Sequence, residues 1–132
     1  MDSRIFHIAL DKALRSVAWN KHGENEYVLV GDGVTFDCDR LQSLIDSTFT
    51  EPVVWLSASR HEAIDLPRSS AAAQIINHLL AARAAVNVSD ENLHVFLNVH
   101  PMGVARTGSA QANYSIKPKS LRRIALIAGE AQ

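Results

Sequence analysis

The sequence holds a single cysteine, Cys38, so no disulfide can close within the chain. That usage fits a reducing compartment. No apolar run approaches the ~20 residues that a membrane-spanning helix needs. The opening Met-Asp-Ser-Arg is not followed by the long apolar core of a secretory signal, and a cytoplasmic location is expected. The common signatures of catalysis and cofactor binding are missing as well. There is no Gly-x-Ser-x-Gly elbow and no Walker sequence, and Gly31-x-Gly33 lacks the third glycine of a dinucleotide fingerprint. With one cysteine, and neither His-Glu-x-x-His nor Cys-x-x-Cys spacing, no metal site and no cofactor are expected. Aromatic residues make up only 6 % of the chain, which argues against an extended base-stacking surface.

What is present describes an ordinary folded protein. Apolar residues are 47 % of the chain and charged residues 20 %. A chain of 132 residues is one domain's length, so residues 1–132 are expected to form a single α/β domain. The net charge of −1 conceals an uneven layout. Residues 1–91 carry 8 Lys/Arg against 13 Asp/Glu, a net of −5. Residues 92–132 carry 5 Lys/Arg against Glu130 alone, a net of +4.

Along the chain, Leu10, Leu14 and Val17 share one face at helical spacing, which predicts a helix within residues 4–19. Residues 27–30 are aromatic and β-branched, and with Gly31-Asp32-Gly33 and residues 34–36 they predict a strand and a hairpin. Asp37 or Asp39 is placed to cap a helix whose buried stripe is Leu41, Leu44, Ile45 and Phe49.

Residues 51–103 form the centre of the reading. A short apolar run at 52–56 predicts a strand, the alanine-rich stretch 69–86 a helix, and the alternating run 93–100 a second strand. Read as a β-α-β unit, this predicts parallel strands joined by a right-handed crossover. Residues 57–68 and 87–92 read as polar connections, and the small, polar residues 104–113 as a loop. Residues 114–116 suggest a short strand, while 121–128 suit a strand or a helix. The expected fold is α/β, with α+β as the alternative: a mixed sheet of about four to six strands with helices packed on it.

Three places could carry function. Carboxylates cluster at Glu24, Glu26, Asp32, Asp37, Asp39 and Asp46, enough to steer a basic protein partner electrostatically. If the central strands are parallel, their carboxyl ends bring Ser59, Arg60, His61 and Glu62 beside Asn98, His100 and Arg106. Imidazoles, a carboxylate and guanidiniums there could do acid–base work on an anionic substrate, with His61, Glu62, His100 and Arg60 as the catalytic candidates. Lys117, Lys119, Arg122 and Arg123, with Tyr114 nearby, could contact the phosphates of a nucleic acid. With no catalytic signature, the favoured expectation is a non-enzymatic protein-binding protein, in the style of an immunity protein or antitoxin. The small enzyme and the nucleic-acid binder are the alternatives.

Overall fold

The computed structural model describes residues 3–59 and 62–110, and the expectations placed on residues 114–116 and 121–128 lie outside them. The chain opens with helix α1 (Ser3–Leu14), whose buried residues Ile5, Phe6, Ala9, Leu10 and Ala13 recur at helical spacing. The helix expected over 4–19 stops short, and Val17–Trp19 becomes strand β1. After a loop comes β2 (Val28–Leu29) and then helix α2 (Cys38–Thr48). Asp37 caps α2 as expected, its carboxylate accepting from the Arg40 N–H at 3.0 Å.

The next part holds more strands than the β-α-β reading allowed. β3 (Val53–Ser59) is followed directly by β4 (Glu62–Pro67), where a polar connection was expected. A 3-10 turn at Arg68–Ser70 leads into helix α3 (Ala71–Ala82). That helix ends earlier than its alanine-rich composition suggests, because Arg83 adopts the left-handed conformation, φ 54°, with its N–H bonded to the Leu79 carbonyl. The freed residues form β5 (Val86–Ser89), and β6 (Val95–Val99) and β7 (Val104–Ala110) complete the described chain.

The described residues thus form three helices on a seven-stranded sheet in the order β1-β7-β6-β5-β3-β4, with β2 also pairing β7. Every pairing is antiparallel, so the α+β form of the expected class is the one adopted. The expected mixed sheet and the parallel β-α-β unit over 51–103 are corrected. β4 and β5 intervene, and β5 lies between β3 and β6, antiparallel to both. β3 and β6 still run in the same direction because each opposes β5.

The expected loop at 104–113 is corrected too. Its first seven residues form β7, which pairs with β6 on one side and with both β1 and β2 on the other. Its small residues serve this close pairing. A Cβ at Gly108 would lie 2.5 Å from Val17 Cγ1 and 2.7 Å from the Ala18 carbonyl oxygen, so glycine is what lets β1 approach.

The two faces of the sheet are dressed differently. On the first, α2 and α3 cover a continuous apolar core that includes Leu41, Ile45, Val54, Leu56, Leu79 and Leu97. On the second, α1 packs Phe6, Leu10 and Ala13 on Val17, Leu93 and Phe96. The antiparallel registers align Ser57, Asn87, Asn98 and Arg106 in one row across four strands of that second face.

Candidate functional site

The groove beside β2 is built from local backbone chemistry. Asp32 Oδ1 accepts from the N–H groups of Thr35 at 2.7 Å and Val34 at 2.9 Å, an Asx-type turn that closes residues 31–36. These two contacts, Thr35 first, hold the Asp32 carboxyl below its ordinary pKa. Gly31 and Phe36 bridge across the turn, and the Gly33 carbonyl accepts from Arg83 Nη1 at 3.2 Å. Beneath lies the turn at 101–103, so close that a Cβ on Gly103 (φ +104°) would run into the Gly31 carbonyl. The Val30 N–H bonds the Gly103 carbonyl at 2.8 Å, tying the two turns together.

This framework surrounds a groove of about 350 Å³ lined by Leu29, Phe36 and Val30, with Asp32, Asp37 and Arg40 beside them. Leu29 is 60 % exposed, Val34 78 % and Met102 69 %, the three most exposed large apolar side chains among the described residues. They occupy β2 and the two stacked turns. β2 lies outside β7 and pairs with it on one side among the described residues.

The expected acidic set divides in this setting. Asp32 and Asp37 stand at the groove, and Asp39 lies exposed in the first turn of α2. Glu24 is exposed in the loop before β2. The other two are committed elsewhere. Glu26 pairs with Arg106 at 3.4 Å, and Asp46 lies 3.7 Å from Arg68 Nε and accepts from Gln42 at 3.1 Å.

Of the expected acid–base edge, the described residues include Asn98, His100 and Arg106. Because β3 and β6 run in the same direction, their carboxyl ends share one end of the sheet. Arg60 and His61 lie outside the described residues, as does the side chain of Glu62. His100 follows β6, its ring centroid 6.0 Å from that of Tyr27 in an edge-on arrangement. Arg106 is not an open anion grip. Its guanidinium carbon sits 3.9 Å from the Trp19 ring centroid and 5.2 Å from that of Tyr27, while Glu26 balances the charge. Asn98 is 7 % exposed and donates to Asn87 Oδ1 at 2.7 Å, while its own Oδ1 and Arg106 Nε are buried without a partner.

Sequence reasoning missed two features of this face. His7 Nδ1 hydrogen-bonds the buried Ser57 Oγ at 3.3 Å, joining α1 to β3 across fifty residues. Trp19 becomes the platform for Arg106 only because β1 exists. The available signal was the stretch 104–110, whose small residues, read as a strand, would have placed Arg106 opposite Asn98.

Lys117, Lys119, Arg122 and Arg123 lie outside the described residues. Among the described residues no group of three His, Cys, Asp or Glu is placed to hold a metal ion, and no helix is long and apolar enough to cross a membrane. No family model, curated protein or solved structure matches the chain.

Proposed function

We propose that the chain is a non-enzymatic protein-binding protein that receives a basic partner at the groove beside β2, in the manner of an immunity protein or antitoxin that neutralises a toxin. One observation carries this reading: Leu29, Val34 and Met102 stand exposed on β2 and the two stacked turns, and Leu29 lines a groove that also carries Asp32, Asp37 and Arg40. Apolar side chains held out by a hydrogen-bonded turn supply desolvation energy on contact, at little entropic cost because the turn is already formed. The carboxylates steer encounter with a positively charged surface. The interface centres on residues 29–37, with Asp39 and Glu24 as outlying charge.

The test separates charge from structure. Asparagine retains the side-chain acceptor that Asp32 and Asp37 use, so Asp32→Asn, Asp37→Asn and Asp39→Asn together remove charge while keeping the turn and the helix cap. Wild-type and triple-variant proteins are compared as baits in native cells. A basic protein retained by wild type should bind the triple variant at least about tenfold more weakly at low salt. It should also be lost to Leu29→Lys. Equal retention by all three baits would sink the reading.

A further inference from the structure

At the opposite side of the sheet, on its second face, β3, β4 and the turn joining β5 to β6 enclose a cavity of about 410 Å³. Its apolar wall is Trp55 and Val53. Trp55 is fixed by Phe6 of α1, ring centroids 5.9 Å apart, so the wall is in place before anything binds. Asp65 stands directly across from Trp55 on β4. Glu51 enters from the chain ahead of β3, and Glu91 from the β5–β6 turn. That turn is organised by the buried Asp90, whose Oδ1 accepts from the His94 and Val95 N–H groups at 2.7 and 2.9 Å.

Three acidic residues from three segments therefore line one cavity with Trp55, and among the described residues no Lys, Arg or His lines it. None of the three takes part in the ion pairs formed among the described residues. Their spacing does not suit a metal ion. A larger cation answers both halves of the wall: its charge meets the carboxylates and its face or alkyl part lies on the indole.

We propose that this cavity binds an organic cation of the alkylammonium or guanidinium class, held on the Trp55 ring and by Glu51, Asp65 and Glu91. The site is independent of the groove beside β2 and stands or falls without it. The same chemistry is offered by a free polyamine and by a lysine or arginine side chain on a protein.

The full chain has two tryptophans, so the indole N–H resonances of Trp55 and Trp19 provide a probe and its internal control. Three titrants are used: spermidine, the tripeptide Gly-Arg-Gly with blocked ends, and urea as the neutral relative of guanidinium. Saturable movement of the Trp55 resonance with spermidine or the tripeptide, but not urea, supports the proposal, and the titrant preferred identifies the source. Glu51→Gln and Glu91→Gln change exposed rim residues outside regular structure, and each should weaken binding about two- to fivefold. The proposal is overturned if Trp55 does not respond to millimolar cation. It is also overturned if urea acts equally, if Trp19 moves in parallel, or if the Glu51→Gln/Glu91→Gln double variant binds like wild type.

Discussion

The two faces of the sheet solve the same problem by different means. The first is covered by two helices over a continuous apolar core, with Leu41, Ile45, Val54, Leu56, Ile75 and Leu79 all excluded from water. The second has one helix across it and a polar row beside that helix, in which Ser57 and Asn98 are buried yet Asn98 Oδ1 has no partner. Burying apolar area is non-directional and tolerates no empty space. Burying polar groups is directional, and stabilises only when each group is satisfied. Stability should therefore reside mainly in the first face.

The sharpest way to break that contrast is to cut one neighbouring residue from each face. Leu56 and Ser57 are adjacent on β3 and point to opposite sides. Leu56→Ala should lower unfolding free energy by about 2–5 kcal/mol, the cost of a cavity in a close-packed core. Ser57→Ala removes one 3.3 Å contact to His7 and should cost about 1 kcal/mol or less. Urea unfolding of both variants decides it, and similar losses would show that the polar row carries as much stability as the core.

Gly108 tests the joint between β7 and β1. A methyl group there meets Val17 Cγ1 and the Ala18 carbonyl, and the carbonyl belongs to backbone that cannot simply rotate away. Gly108→Ala should destabilise by about 1–3 kcal/mol and loosen β1 first. Hydrogen exchange at the Asn20 N–H, bonded to the Thr107 carbonyl at 2.7 Å, reports that loosening directly. Unchanged exchange would mean that β1 has another support.

The same two faces explain how much could be read in advance. α2 was legible because Asp37 and the stripe Leu41, Leu44, Ile45 and Phe49 state cap and face together. The core strands at 53–56 and 95–99 were legible because apolar residues announced them. β4, β5 and β7 were not, since Asp65, Asn87 and Gly108 suit a pleated surface only once neighbouring strands surround them. β3–β4, β5–β6 and β6–β7 pair strands adjacent in sequence, but β3–β5 and β1–β7 join residues far apart, so local pattern gave no register for the sheet as a whole. The site followed suit. Asp32 and Asp37 were visible as charge, but the exposure of Val34 and Met102 depends on two turns that meet only in the folded chain.

A finer probe of the polar row is a double-mutant cycle on its amide pair. Asn98→Leu alone leaves Asn87 Oδ1 without the Asn98 donor and should cost about 1–2 kcal/mol. Adding Asn87→Leu removes both halves and should recover most of that loss, because a paired apolar replacement leaves nothing unsatisfied. Additive losses in thermal or urea unfolding would show instead that the two amides act independently.

The smallest effect expected is a pH dependence at the groove. The Thr35 and Val34 N–H groups favour the ionised Asp32 carboxylate, so its folded pKa lies below its unfolded value. The sign follows: the contribution is fully present above the unfolded pKa and is lost as pH falls through the lower, folded one. Acid should therefore open the turn at 31–36 without unfolding the sheet. Asp32→Asn accepts the same N–H groups but does not ionise, so its turn should persist at low pH where the wild-type turn weakens. The Val34 and Thr35 amide resonances followed from neutral to acidic pH provide the reading. If both proteins lose the turn at the same pH, the Asp32 carboxylate does not set its stability.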